Sequence, residues 1–424
     1  MVRYAKASFV AIAVGQGDAF YLERGKHSVL VDAGKARRGI ADRFRVATGR
    51  NSVDIIACTH NDADHAEGIM GVLESGISCK EVWLPAIWSN RLEDLLLNPV
   101  EVGYEIALDI GEMSGQELSA VIQERGASLT ALGDHLADRF REKLTRSVED
   151  EQGRDEDPGF YDTRAMSNLL EEGSQTQTQP IETWSRVISM NYHLDPWWYL
   201  SRVPNLTSDQ AFTIFWEAIS AGERIRSIAI QAYQNGCAIR WFQFDNDSDG
   251  IQEGQPGFLV PMNAREVFRF PIRKSRSSLR LLEALALSVS NRESLVFLAP
   301  GTWATPEVLF CGDSDLRFRR RIPWSKGMIV TAPHHGSDSN SGAYQRFSRD
   351  TADACEAVWI RSDGRYRSRP GALFMHRPPD SRICTLCRGS ANPSQNIKLL
   401  VDRSKRSWQP LTTVRRCECR ELES

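Results

Sequence analysis

The junction between VDIIAC at 53–58 and THNDADHAEG at 59–68 constrains this chain more than any other stretch. The first run reads as a short buried strand. The second puts His60, Asp62, Asp64 and His65 within six positions and passes into the helix-like HAEGIMGVLESG. Side chains alternate where a strand ends, so His60 and Asp62 can face one way while the turn into a helix carries Asp64 and His65 to a neighbouring point. Carboxylate and imidazole are donors a divalent cation accepts near neutral pH. The alternative is a polar helix cap with Asp64 as N-cap. Only eight histidines occur in the whole chain and two fall here, which favours a metal site able to serve two adjacent ions.

The flanking pattern predicts an α/β architecture. ASFVAIAV, AFYLER, HSVLVDAG, VDIIACTH and EVWLPAI read as strands bounded by Gly, Asp or Asn, with a crossover helix before the last. The same texture returns from about 278, with SLRLLEALALSVS as helix into strand. ESLVFLA, EVLFCGDSD, GMIVTAPHHGS and EAVWIRS follow as strands, with SGAYQRFSRD as a helix. Between them lie helical patterns such as GQELSAVIQERGASLTALGDHLADRFREKL, the acidic SVEDEQGRDEDPG and the Trp-rich DPWWYL. RSIAIQAY and CAIRWFQFD are expected to form a hairpin across QNG. The middle reads as an insertion whose Trp and Tyr residues serve either core packing or base stacking. The expected boundaries are 1–90 and 278–380 for two halves of one domain, 91–277 for a mostly helical insertion, and 381–424 for a basic, Cys-containing tail.

At 424 residues the chain has room for one elaborated domain or two ordinary ones. A net charge of -3 argues against a chain that coats nucleic acid along its whole length, so any basic surface is local. Arg317, Arg319, Arg320 and Arg321 form one such cluster, and residues 361–424 carry fourteen Lys and Arg against six Asp and Glu. No apolar run reaches the roughly 18 residues of a membrane helix, and the N-terminus shows no signal-peptide cleavage pattern. Nine cysteines, an odd number mostly placed singly in strand-like contexts, suit a reducing, cytoplasmic setting.

Further ligand types end other strands: Asp313 in LFCGDSD, and His334 and His335 in APHHGS. Open α/β folds build sites at such strand ends. With these residues in place, THNDADHAEG closely resembles the signature of the metallo-β-lactamase superfamily, in the variant with Asp in place of the usual second His. That variant is similar to the hydrolase domain of the ComEC family of DNA-uptake proteins. VGQGDAF, VLVDAG, NRESLVF, LFCGDSD, PHHGS and MHRPP match in the same order, covering about 7–90 and 280–380.

The resemblance implies a metallo-β-lactamase-type αββα sandwich and a dinuclear metal site. His60, Asp62, Asp64, His65, Asp313, His334 and His335 would be ligands, with Asp313 shared between the ions. Asp64 and Asp313 would be catalytic, positioning a bridging hydroxide. Asp18 and Asp32 would hold ligand imidazoles by hydrogen bonds. Asn291 stands where the superfamily usually has a third-motif His, and His376 lacks the flanking Gly and Pro of relatives. Asp62 adds a hard oxygen donor, shifting preference from zinc towards manganese or magnesium and suiting an anionic phosphate.

The expected function is therefore a soluble metal-dependent hydrolase, a phosphodiesterase or nuclease using two divalent ions, Zn or Mn. Ser337, Arg319 and Arg320 are the substrate-binding candidates, and nucleic acid the expected partner, with partner proteins reaching the insertion. The alternatives are a hydrolase of a small ester, lactone or cyclic nucleotide, and a non-catalytic scaffold in a multi-protein system such as a defence module. The pairs Cys384, Cys387 and Cys417, Cys419 suggest a structural zinc clip or four free thiols.

Overall fold

Strict alternation of side chains along two sets of strands builds the main body of the chain. In the computed structural model the described residues are 7–98, 102–103, 106, 160–175, 208–247, 253–271, 293–351, 355–363, 369–387, 395–402, 404–411 and 417–419. They fall into two units, one of Met1–Pro85, Asn235–Val267 and Asn291–Ser424, the other of Ala86–Gln234 and Phe268–Ser290.

The first five strands are β1 (Ala7–Ala11), β2 (Phe20–Arg24), β3 (His27–Val31), β4 (Ser52–Ala57) and β5 (Ser78–Pro85). Strand β6 (Phe160–Asp162) is in the second unit; β7 (Ala238–Phe244), β8 (Val260–Pro261) and β9 (Ala264–Val267) return to the first. After β10 (Arg269–Pro271), which pairs with β6, come β11 (Phe297–Ala299), β12 (Val308–Phe310), β13 (Ile329–Thr331), β14 (Val358–Arg361), β15 (Arg382–Cys384), β16 (Ile397–Asp402) and β17 (Ser407–Pro410).

The first unit holds a nine-stranded sheet in the order β17-β16-β1-β2-β3-β4-β5-β7-β9 and a six-stranded sheet in the order β15-β14-β13-β12-β11-β8. Each half of the sequence supplies most of one sheet, and the two share an apolar core. Phe9, Phe20, Val29 and Ile55 from the first join Phe297, Phe310, Ile329 and Ile360 from the second. Intervening residues of the second sheet, Leu298, Leu309, Val330 and Trp359, pack outward with Tyr344 and Phe347. Tyr344 and Phe347 belong to the helix Ser341–Thr351. This is the expected α/β sandwich, with period-two alternation feeding two apolar layers.

Parallel pairing of β3, β4 and β5 requires crossovers. Helices α1 (Ile40–Thr48) and α2 (Ala63–Glu74) supply them, and Phe44 of α1 meets Tyr21 edge to face at 5.5 Å. In the second unit α3 (Ser89–Leu97), α4 (Thr163–Gln175) and α5 (Ser208–Gln234) pack on one another. Helices α6 (Ser341–Thr351) and α7 (Ala372–Met375) complete the set. Among the described residues no helix is long and apolar enough to cross a membrane.

Three expectations about organisation need correction. RSIAIQAY is not a hairpin strand: it is the last part of α5, where buried Ile225, Ile228, Ala229 and Ala232 repeat at helical spacing. The middle is not one insertion over 91–277, because β7 pairs in parallel with β5, and β9 with β7, inside the large sheet. The segment from 381 is not a separate tail. β15 extends the six-stranded sheet beside β14, and β16 lies antiparallel to β1 with Ile397, Leu399 and Val401 in the shared core. The helical reading of 115–144, and DPWWYL and SLRLLEALALSVS, lie outside the described residues.

Candidate metal centre

The ends of β3, β4, β12 and β13 carry the chemistry, and each end is shaped to turn a side chain inward. After β3, Asp32 takes a left-handed backbone (φ 56°) and accepts from Thr59 twice, from its N–H and its hydroxyl, both at 2.8 Å. After β4 the chain enters α2 with Asp62, not Asp64, as the N-cap residue, and the Asp62 side chain makes no capping bond. That carboxylate is therefore free of the usual helix-start role. The turn before β2 clamps this helix start. Gly17 (φ 95°) is packed so closely that a Cβ would fall on the Asp64 carbonyl oxygen, and Asp18 N–H donates to that oxygen at 3.1 Å.

After β12, Gly312 (φ 51°) leads to Asp313, whose N–H donates to Ser294 Oγ at 3.1 Å. After β13, His334 and His335 both have left-handed backbones, φ 46° and 53°. Such conformations cost of order 1–3 kcal/mol each for non-glycine residues, and adjacent ones point to a constrained functional loop.

The side chains converge on Asp313, itself 1% exposed. Its Oδ2 lies 3.7 Å from His60 Nε2 and 3.4 Å from His334 Nε2, and Asp62 Oδ2 is 3.6 Å from His60 Nε2. Its Oδ1 lies 3.1 Å from His65 Nε2 and 3.7 Å from His335 Nε2, and Asp64 Oδ2 is 3.4 Å from His335 Nε2. One carboxylate thus faces two groups, His60 with Asp62 and His334, and His65 with His335 and Asp64.

The outer nitrogens are fixed. His65 Nδ1 is 2.8 Å from Asp32 Oδ2, and His335 Nδ1 is 3.1 Å from Asp18 Oδ1. A carboxylate at Nδ1 selects the Nδ1–H tautomer and leaves a lone pair on Nε2. Both Nε2 atoms then face each other at 3.1 Å with lone pairs towards one point. His60 Nε2 and Asp313 Oδ1 are buried without a hydrogen-bond partner. Buried acceptors left without partners on both sides of Asp313 are what cations satisfy, so the donor set fits divalent metal.

Charge agrees. Burial opposes ionisation of Asp313, but His334, His65 and His335 outweigh it and hold the carboxyl well below its ordinary range. Asp64 is lowered too: burial raises it, and the His335 hydrogen bond and charge more than reverse that. Burial disfavours charge on His335, yet Asp18, Asp313 and Asp363 push its pKa up to about 10. His65 is raised likewise by Asp313 and Asp32 against its burial. Excess buried carboxylate draws positive charge to His65 and His335, an electrostatic demand that a bound cation would meet.

The metallo-beta-lactamase superfamily model matches residues 12–80. That segment contains Asp18, Asp32, His60, Asp62, Asp64 and His65, whereas Asp313, His334 and His335 lie beyond it. No curated protein matches the chain.

The structure does not gather every candidate. His376 is exposed at the end of α7 and lines a groove with Lys326, Arg377 and Trp408 instead of the Asp313 cluster. Asn291 lies outside the described residues. Ser337 closes the histidine loop, with its N–H donating to the His334 carbonyl at 2.9 Å and its hydroxyl accepting from Ser339 N–H. Arg319 is largely exposed and pairs with Asp247 at 2.9 Å; Arg320 donates to the Pro261 carbonyl at 2.8 Å.

Sequence reasoning missed Asp363, Arg361 and Arg369. Arg369 Nη1 lies 3.6 Å from Asp64 Oδ2 and its Nε 3.3 Å from Asp363 Oδ2. Asp363 Oδ1 accepts from Gly17 N–H at 2.8 Å. The available signal was VWIRSD, another apolar strand ending on a carboxylate. Cys384, Cys387, Cys417 and Cys419 also meet, all buried, with their sulfurs within 4.8 Å of one another.

Proposed function

We propose that this centre is a dinuclear metal-dependent hydrolase site acting on phosphodiesters, with nucleic acid as its substrate. The carrying observation is the division of ligands about Asp313, whose two oxygens face two separate donor groups. His60, Asp62 and His334 would hold one ion, Asp64, His65 and His335 the other, and Asp313 both. A pair of divalent ions lowers the pKa of water towards neutrality and clamps the attacking and leaving oxygens of a displacement.

The chain's own residues do the rest. Asp32 and Asp18 hold the His65 and His335 rings in one tautomer and one orientation. Arg369 fixes Asp64 from outside, and Asn340 anchors both the Asp313 carbonyl and His334 Nδ1, the latter at 2.7 Å. Aspartate in place of a histidine at position 62 supports a harder ion such as manganese over zinc, and an anionic substrate over a neutral lactam. The ordered motif matches described above support a ComEC-type relationship, and with it a nuclease. Arg319, mostly exposed, remains the candidate phosphate contact among the arginines following Asp313, while Arg320 serves to hold its loop.

Purified protein with manganese, labelled single- and double-stranded DNA and RNA, and a chromogenic small phosphodiester tests this reading. Cleavage of a polymer, lost in Asp64→Ala and Asp313→Ala with the fold intact by circular dichroism, is the expected result. Hydrolysis of the small diester alone would move the reading to a small-molecule phosphodiesterase. Wild-type rates in Asp64→Ala would overturn the site assignment.

A further inference from the structure

We propose that Cys384, Cys387, Cys417 and Cys419 hold one structural zinc ion, and that this ion positions the Asp313 centre through Arg361. Sγ of Cys419 lies 3.6, 3.4 and 3.5 Å from those of Cys384, Cys387 and Cys417. Three sulfurs around one, all four buried, form a knot and not two pairs. Tetrahedral sulfur ligands about 2.3 Å from zinc stand roughly 3.8 Å apart, near the observed spacing. The Glu418 N–H donates to Cys387 Sγ at 3.3 Å, a contact suited to a thiolate acceptor.

The second half of the proposal comes from Arg361, which is wholly buried at the end of β14. Its Nη1 is 3.6 Å from Cys419 Sγ, its Nε donates to the His335 carbonyl at 2.7 Å, and its Nη2 lies 3.5 Å from Asp363 Oδ2. Zinc with four thiolates carries two net negative charges, and a buried guanidinium beside it is the matching counter-charge. Arg361 then acts as a positioning residue. Held by the thiolates on one side, it fixes the left-handed His335 backbone and Asp363 on the other, and Asp363 steadies Gly17 and Arg369. The zinc also pins the short 417–419 segment beside β15, where Cys417 N–H meets the Arg382 carbonyl at 2.9 Å. This coupling rests on the reading of the Asp313 cluster as a metal centre; the zinc assignment does not.

Two measurements separate the parts. Asp313→Ala, which disables the other centre, should retain one zinc per chain, with an all-sulfur first shell near 2.3 Å by X-ray absorption. A nitrogen and oxygen shell, iron in place of zinc, or no retained metal would overturn the zinc assignment. In zinc-loaded protein, Arg361→Gln should weaken manganese binding, read by electron paramagnetic resonance of free manganese, about 10-fold or more, with Arg361→Lys partly restoring it. Should Arg361→Gln fail to fold, a mercurial added to wild type should release zinc and manganese together. Manganese affinity unchanged in folded Arg361→Gln, or manganese retained as zinc leaves, would overturn the coupling. Wild type that binds zinc but no manganese would instead sink the metal-centre reading and leave the zinc standing.

Discussion

His65 and His335 show how much of the centre is decided outside the atoms that would touch metal. Each ring is oriented by a buried aspartate at Nδ1, Asp32 and Asp18 respectively. Replacing either by Asn keeps size and loses the charge that selects the tautomer, so metal affinity should fall about 10- to 100-fold with little change in melting temperature. Titration calorimetry with manganese checks this, and unchanged affinity in both variants would remove the orienting role. The raised imidazole pKa values give a second expectation, for metal-free protein. A folded-state pKa above the ordinary 6.5 contributes stability that is fully present below about 6.5 and is lost as pH rises through the folded value. For His335 that window runs from about 6.5 to about 10. Denaturant midpoints of metal-free protein should therefore decline across it, and manganese should flatten the decline by replacing the proton. The residues that converge on Asp313 are legible in the sequence because they crowd into THNDADH and PHHGS. Arg361, Asp363 and Arg369 are not, because two arginines and an aspartate close together in sequence look like solvated charges until Gly17 and Asp64 are brought to them from more than 300 residues away.

Among the elements, strand ends carry more information than strand bodies. Gly17 is required twice, by its φ of 95° and by the Asp64 carbonyl occupying the place of a Cβ. Gly17→Ala should cost more than about 1 kcal/mol and displace the start of α2, so manganese affinity and melting temperature fall together. Ala at Gly15, whose Cβ would meet nothing within 4 Å, is the control: it shares the positive φ and lacks the clash. Equal loss in the two variants would assign the effect to backbone conformation alone. The strands of both halves were readable because their apolar residues alternate or run continuously between turn residues. RSIAIQAY misled because β-branched isoleucines suggest a strand, whereas the deciding signal was the helical spacing of Ile225, Ile228, Ala229 and Ala232 continuing from residues upstream. β7 and β9 read locally as parts of an insertion because pairing with β5 is a long-range choice that local pattern does not encode.

At the scale of the whole sandwich, the C-terminal strands decide whether 381–424 is an appendage or part of the core. IKLLVD alternates buried and half-buried positions, and its buried set, Ile397, Leu399 and Val401, enters the apolar layer shared by both sheets. β1 is paired on both edges, by β2 and by β16, so removing β16 would bare a backbone edge and an apolar strip together. In the sequence this period-two pattern spans only six residues within a stretch whose dominant feature is its basic charge. A chain ending at 395 should therefore be insoluble or melt without cooperativity, although every ligand around Asp313 is retained. The milder Leu399→Ala should lower stability by about 2–5 kcal/mol, as for other fully buried leucines. Both effects are read by thermal and denaturant melts of metal-free protein, so loss of the centre's ions does not enter. A truncated chain that melts like the full one would show that β16 and β17 only rest on a sandwich already complete without them.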